Sequence, residues 1–389
     1  MTNQSGLTDD VVIIGGGFSG LAIAALLSHR SIPVTLLEAA DLGMQASTLN
    51  QGWLYSGAWF APRQRALAEM CYRSFEQTIR FCPDCLEPGH TGMLFGLTGD
   101  SDVERWTESW TAAGIPWEAV PGDRMTAVMP QASEQFSDVF RLPDRSMRPQ
   151  ILLKRLADYA QEHGARIHTG VLARRLNCHD GSVDSVTTAT GEDVRASMVI
   201  VATGASEHDL SRYLADHVPG DESLYTRVTL QAHLVSVPCV SMQPFCLPDF
   251  EGFNHVGHLN QSGERVSVFG VDRWRAVAPL ESHPPCDDEC SILRDYVARF
   301  FPDLDPEGPN VNSWSGTTVQ AMHAEQTEPG QVPLPTVIDH SNECPSVDNL
   351  LSVYPGRASL WSQLAEDAAD IVTQRRKPAW SKAATPPWA

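Results

Sequence analysis

Four consecutive apolar residues, Val11, Val12, Ile13 and Ile14, predict a parallel strand covered on both faces. Glycines at 15, 16, 17 and 20 follow, and small residues from 18 to 29 predict a helix that Ile32 and Pro33 break. Val34, Thr35, Leu36 and Leu37 predict a second buried strand ending at Glu38, so the chain opens as a βαβ unit. Leu67, Cys71, Phe75 and Ile79 recur every fourth residue and mark an amphipathic helix within 63–81. Short elements are expected over 83–148, which is rich in Pro, Gly and Trp. A helix over 150–163 stops at Gly164 and precedes a strand at 166–168. A meander follows, with turns at Asp180-Gly181 and Thr190-Gly191. Met198, Val199, Ile200 and Val201 predict another buried strand, which runs into Ala202, Thr203 and Gly204. Alternation over 225–319, for example at 229–237 and 265–271, predicts an antiparallel sheet. A last strand at 350–353 leads through Pro355-Gly356 into a helix over 359–374. Arg375, Arg376 and Lys377 suit the C-terminal end of that helix dipole, and the tail beyond Pro378 reads as loose. No internal repeat is visible.

The length of 389 residues exceeds one hydrophobic core and suits two interleaved domains. With 42% apolar and 20% charged residues, the composition is that of a globular protein. The formal charge of −20 repels phosphate backbones and anionic membranes, which disfavours nucleic acid as a partner and favours solubility. No apolar run approaches the roughly 20 residues of a spanning helix. Residues 1–10 are polar without a positive side chain, unlike a signal peptide. Nine cysteines without regular spacing fit no secreted disulfide framework, so a cytoplasmic location is expected.

Gly15, Gly17 and Gly20 form G-x-G-x-x-G between strand and helix, with Phe18 and Ser19 opening the helix. The first glycine permits a tight turn, the second lets backbone approach a pyrophosphate, and the third lets helix and strand pack closely. Glu38, 18 residues beyond Gly20 and followed by Ala39, stands where a carboxylate binds ribose hydroxyls. A dinucleotide site follows, although the motif does not separate FAD from NAD. The chain has no second G-x-G-x-x-G, which points to a substrate rather than NAD(P)H as the electron source.

Three further segments carry a family resemblance. Residues 199–205, V-I-V-A-T-G-A, resemble the returning strand of glutathione-reductase-type FAD domains, whose Ala-Thr-Gly turn (here Ala202, Thr203, Gly204) lies near the adenosine half. Residues 47–57, S-T-L-N-Q-G-W-L-Y-S-G, resemble the flavin loop of the D-amino-acid oxidase and glycerol-3-phosphate dehydrogenase superfamily. The resemblance implies that Ser47 and Thr48 meet the pyrophosphate while Asn50, Gln51, Gly52 and Trp53 pass beneath the isoalloxazine. Tyr55 replaces the His of those relatives, which implies noncovalent FAD. Residues 354–361, Y-P-G-R-A-S-L-W, are similar to the final flavin-contacting helix of glycerol-3-phosphate dehydrogenases, with Arg357 at their Lys position. Gly356, Arg357, Ala358, Ser359 and Leu360 thereby become cofactor contacts, and residues 144–176 place Ala173 near the adenine as a backbone contact.

The resemblance implies an α/β fold: a glutathione-reductase-type, Rossmann-like FAD-binding domain with an inserted, mostly antiparallel α+β substrate domain. The expected boundaries are 1–82, 149–218 and 330–380 for the FAD domain, 83–148 and 219–329 for the substrate domain, and 381–389 for a tail. The expected reaction is hydride transfer from a small alcohol, hydroxy acid or amine to FAD, with oxygen or another acceptor as reoxidant. A flavin monooxygenase needing NAD(P)H and a non-catalytic FAD-binding protein are the alternatives.

Oxidation of a CH–OH or CH–NH group needs an acceptor for the O–H or N–H proton. Tyr55, His255 and His258 are the candidates, with His233 beside them; a strand would point His255 and His258 to opposite faces. Thr318 occupies the place where the superfamily often carries an arginine for a substrate carboxylate or phosphate. Arg63, Arg273 and Arg275 are substitutes, and Trp53, Trp59 and Trp274 line a pocket or belong to the core. Cys82-x-x-Cys85 and Cys286-x-x-x-Cys290 lack a thioredoxin-like context, and no metal site is expected. Substrate identity and oligomeric state stay open.

Overall fold

A computed structural model describes residues 10–131, 133–204, 224–237, 239–260, 262–277, 285, 287–323, 332, 334–342, 346–375 and 385–389, with backbone alone at 133, 224–228, 276–277 and 320–323. Ala205, Cys286, Arg376 and Lys377 of the sequence reading lie outside the described residues. The chain divides into two compact units, one of residues 1–47, 152–228 and 318–389, the other of 48–151 and 229–317.

The first unit begins with β1 (Val11–Ile14), α1 (Phe18–His29) and β2 (Val34–Leu37). The chain then builds β3 (Trp53–Leu54), α2 (Arg65–Phe81), β4 (Met93–Leu97), α3 (Val103–Ala112), β5 (Glu118–Val120), α4 (Asp123–Thr126), β6 (Asp138–Leu142) and β7 (Arg145–Ser146) of the second. Through α5 (Pro149–Glu162) it reaches β8 (Arg166–His168), β9 (Ala173–His179), β10 (Ser182–Thr188), β11 (Asp193–Arg195) and β12 (Met198–Val201). Next come β13 (Leu224–Ser236), β14 (Phe245–Leu247), β15 (Phe253–Leu259), β16 (Arg265–Gly270), β17 (Arg275–Val277), α6 (Asp287–Phe300) and β18 (Val311–His323). Finally, β19 (Thr336–Asp339), β20 (Leu350–Tyr354) and α7 (Trp361–Arg375) complete the fold.

In the first unit β1 lies between β12 and β2, all parallel, in a six-stranded sheet ordered β19-β20-β12-β1-β2-β8; only the edge strand β19 runs antiparallel. A central strand with neighbours on both edges and both faces covered has no polar side to show, which is why β1 is wholly apolar. The meander β9–β10–β11 covers one face through Leu176, Val183 and Val186, packed on Val12, Ile14 and Val199. Helix α1 is apolar nearly all round and buried, as such a helix must be. At its C-terminal end Arg30 pairs with Asp370 at 2.8 Å and donates to Thr373 at 3.1 Å, both on α7.

The second unit is built on a nine-stranded sheet, β17-β13-β16-β15-β14-β4-β6-β5 with β18 paired to β13; β14 and β4 are parallel. One face carries Leu234, Phe253 and Phe269, packed on Leu293, Val297 and Phe300 of α6. The pleat sends Asn254, His258 and His233 to the other face.

Three features differ from the sequence expectations. The antiparallel region contains α6, whose Cys290, Leu293, Val297 and Phe300 lie on a buried stripe behind an acidic first turn. Residues 48–82, expected with the FAD domain, cluster with the second unit. The end of the chain is docked: Trp388 is 0% exposed, its ring meets Trp361 edge-on at 4.7 Å, and its indole donates to Glu366 at 2.8 Å. Truncating this buried indole removes its transfer energy and leaves a cavity. Trp388→Ala is therefore expected to lower unfolding free energy by about 3 to 5 kcal/mol, seen as an earlier urea midpoint.

Candidate functional site

In the first unit the glycine turn is held by contacts that exclude any other residue. Gly15 has φ +112°, and its amide donates to the Leu37 carbonyl at 2.8 Å. A Cβ on Gly15 would lie 2.8 Å from the carbonyl carbon of Ala202, and one on Gly20 would collide with the Gly15 carbonyl oxygen. Helix α1 thus approaches β1 more closely than a side chain permits. Glu38 accepts the Gly16 amide at 2.6 Å and the Ala40 amide at 2.8 Å, which fixes its carboxylate beside the turn. Ser47 Oγ accepts the Phe18 amide at 3.0 Å, at the positive end of α1. Thr203 Oγ1, just beyond β12, is buried with no hydrogen-bond partner among the described residues. Farther along, Gly356 has φ +66° and Arg357 is buried ahead of a 3₁₀ turn, Ala358–Leu360, that runs into α7.

In the second unit a loop over 49–56 is fastened from several sides. Asp144, fully buried, accepts the Trp53 indole at 2.9 Å, the Ser56 amide at 3.1 Å and the Ser56 hydroxyl. Burial pushes the Asp144 carboxyl up, and these donors oppose it by stabilising the charged form. The Trp314 indole donates to the Leu49 carbonyl at 2.8 Å, and His258 Nε2 donates to the Gln51 carbonyl at 2.8 Å. His258 Nδ1 faces Glu87 at 3.3 Å, a buried carboxylate that also accepts the Leu259 amide at 3.2 Å. Gly52 has φ +75°, and a Cβ there would lie 2.6 Å from both His258 and the Met147 carbonyl. Trp53 and Tyr55 stack with ring centres 4.1 Å apart.

His255 belongs to the opposite face, so the two histidines do not converge. Its Nε2 meets Ser267 Oγ at 2.8 Å, its ring stacks on Phe245 at 5.1 Å, and burial, then His258, brings its pKa down to about 3. That corrects its standing as a proton acceptor: it is a core residue. Burial likewise takes His233 down to about 3 and His90 to about 4. The candidate arginines are paired: Arg63 with Asp272 at 3.6 Å, Arg273 with Glu251, Arg275 with Glu289 at 3.3 Å. Trp59 donates to Asp272 at 3.0 Å beneath the Arg63 guanidinium, and Trp274 donates to the same carboxylate at 3.0 Å, so neither indole is merely apolar lining. Contact with Cys82, then burial, pushes the Cys85 thiol up, which keeps it unreactive. Among the described residues no three His, Cys, Asp or Glu side chains converge on a metal position, and no helix is long and apolar enough to cross a membrane.

A family model described as FAD-dependent oxidoreductase (DAO) matches residues 10–335. The chain belongs to this family. It is 31% identical over 384 residues to the A1 subunit of anaerobic glycerol-3-phosphate dehydrogenase from Haloferax volcanii, covering 94% of this chain and 63% of that one. It is 30% identical over 219 residues to a subunit of the anaerobic glycerol-3-phosphate dehydrogenase of Haemophilus influenzae, covering 54% of this chain and 38% of the relative. The chain thus spans less than two thirds of either relative. Its fold matches that of L-proline dehydrogenase from P. horikoshii with a TM-score of 0.72 at 16% identity, covering 96% and 95% of the two chains.

FAD is the cofactor of this oxidoreductase family, and the first unit fits it. The turn at Gly15 has no room for a Cβ, α1 points its positive end outward beside the Ser47 hydroxyl, and the buried Thr203 hydroxyl has its bonding capacity unused. Each Glu38 oxygen retains a lone pair after accepting one amide. Ala173 begins β9 with its side chain in the core of the same unit. Sequence reasoning missed Asp144, Glu87 and His90; nothing local distinguishes a carboxylate that fastens a loop 88 residues away from an ordinary surface acid.

Two outcomes follow. Gly20→Ala places a methyl on the Gly15 carbonyl, so the purified variant is expected to carry under about a tenth of the wild-type flavin absorbance. His90, His233 and His255 are held neutral when folded, whereas the unfolded chain protonates near ~6.5. Stability from these groups is therefore complete above ~6.5 and is lost as pH falls toward their folded values of about 3 to about 4. Urea titrations at stepped pH are expected to show that slope, reduced in His255→Phe.

Proposed function

We propose that this oxidoreductase binds FAD noncovalently and takes a hydride from the C–H of a small alcohol, hydroxy acid or amine. The carrying observation is the glycine turn with its fixed acid: Gly15 and Gly20 admit no Cβ while Glu38 is locked to the Gly16 amide. Amides at Gly17, Phe18 and Ser19, with the hydroxyls of Ser47 and Thr48, would hold the pyrophosphate, and Glu38 with Ala39 the ribose. Ala173, Ala202, Thr203 and Gly204 would line the adenosine half. Backbone at Gly356, Arg357, Ala358, Ser359 and Leu360, at a helix N-terminus, would favour negative charge on the pyrimidine side. Bound FAD supplies the two-electron acceptor.

In the second unit Asn50, Gln51, Gly52 and Trp53 are assigned to the ring system, on a loop that Asp144 and His258 hold still. His258 is engaged at both ring nitrogens, which makes it a positioning residue. Tyr55, stacked on Trp53, is then the proton-handling candidate on the loop. The relatives support both substrate chemistries, since one acts on the CH–OH of glycerol 3-phosphate and a fold neighbour on the CH–NH of L-proline. We place the enzyme in the cytoplasm, with oxygen or another acceptor reoxidising it.

Anaerobic mixing with alcohols, hydroxy acids and amino acids, one at a time, tests this reading through flavin absorbance. Bleaching by one substrate class without NAD(P)H is expected. Reduction by NAD(P)H alone would point to a monooxygenase, and no bleaching by any substrate to a non-catalytic flavin carrier; either result overturns the proposal.

A further inference from the structure

His233, Gly270 and Asn254 sit directly opposite one another on β13, β16 and β15, so they share the sheet face that the loop covers. Gly270 leaves a gap in this row. A Cβ there would run into Gln51 Oε1 and would lie 3.2 Å from Asn254 Oδ1, so the Gln51 amide occupies the gap between the two flanking side chains. Gln51, Asn254 and His233 are 5%, 2% and 2% exposed. Yet both polar atoms of the Gln51 amide, Asn254 Oδ1 and His233 Nδ1 have no hydrogen-bond partner among the described residues. Leaving such groups buried and unpaired is costly, and the Gln51 amide meets Asn254 Oδ1 at the Gly270 gap.

The row has donors and acceptors and no charge. Asn254 donates from its amide nitrogen to the Gly252 carbonyl at 2.8 Å and presents its oxygen. His233 is neutral across the working pH range, with Phe269 backbone and the Trp314 ring, 5.2 Å away, beside it. Asp272, two residues beyond Gly270, is already paired with Arg63. An anion placed here would lose its hydration without a cation to replace it. A primary amide matches the set, giving N–H groups to Gln51 Oε1 and Asn254 Oδ1 and accepting from Gln51 Nε2; a hydroxyl matches part of it.

We propose that the His233–Gln51–Asn254 row recognises an uncharged hydrogen-bonding group of the substrate, an amide or hydroxyl, and rejects a carboxylate or phosphate in that position. The proposal rests on the substrate reading given above and narrows it.

Acetamide and acetate have the same shape and differ in charge, which makes them the probes. Binding to the purified flavoprotein is read from saturation transfer to the probe methyl protons, and FAD content from absorbance, so the two failures separate. Acetamide is expected to bind at least about tenfold more tightly than acetate, a difference of about 1.4 kcal/mol. Asn254→Leu is expected to lose about tenfold in acetamide affinity with FAD content unchanged. Asn254→Ala, a smaller change at the same position, gives a second readout should Asn254→Leu fail to fold. Acetate binding as tightly as acetamide, no binding of either probe, or undiminished acetamide binding in Asn254→Ala overturns the proposal. So does a variant that folds but sheds FAD, because the row then serves the cofactor. Wild-type protein that takes up no FAD would instead sink the flavin reading, and acetamide discrimination would still be measured.

Discussion

Both units depend on backbone approaching where no side chain intervenes. In the first, α1 reaches β1 because Gly20 sits on the Gly15 carbonyl and Gly15 on Ala202, so the helix opens with its amides beside the Glu38 carboxylate and the Ser47 hydroxyl. In the second, the loop lies on the sheet because Gly52, Gly270 and Gly316 leave gaps that His258, Gln51 and the Leu49 carbonyl fill. A Cβ at Gly316 would stand 2.9 Å from that carbonyl and 3.2 Å from His233. Polar groups enter such gaps without strain, and glycine alone supplies them.

This shared device explains what was legible in the chain. The first unit's glycines are close in sequence and follow a wholly apolar strand, so spacing alone exposed them, and β1, β2 and β12 fell where the apolar runs placed them. Gly270 and Gly316 act on a loop more than two hundred residues earlier, and no local pattern announces that. The same reason hid Asp144 and Glu87, whose partners are fixed by tertiary contact. Helix α6 was hidden differently: its apolar stripe falls every third or fourth residue within a region whose flanks alternate, and the strand pattern dominated. Trp388 reads as tail composition, and only Trp361 and Glu366 on α7 reveal why it is buried.

The resemblance groups residues 48–82 with the glycine turn because the family's cofactor motifs run consecutively, whereas the contacts of these residues lie with the antiparallel sheet. The loop is therefore shaped by the second unit's own residues: Asp144 at one end, Trp314 at the other, and His258 between them. Holding the loop at these positions restricts the main chain and leaves the Gln51 side chain to be set by the sheet beneath.

Charge sets the preference of that face. An acidic protein of net −20 gains nothing from a further buried anion, and its arginines near the sheet are engaged by Asp272, Glu251 and Glu289. The remaining polar groups in the row are amides and a neutral imidazole, whose dipoles bind without the desolvation penalty of an ion. Discrimination in such a site comes from unpaired partners rather than from attraction: a ligand that satisfies the three waiting amide atoms recovers their burial cost, and one that brings an uncompensated charge adds to it.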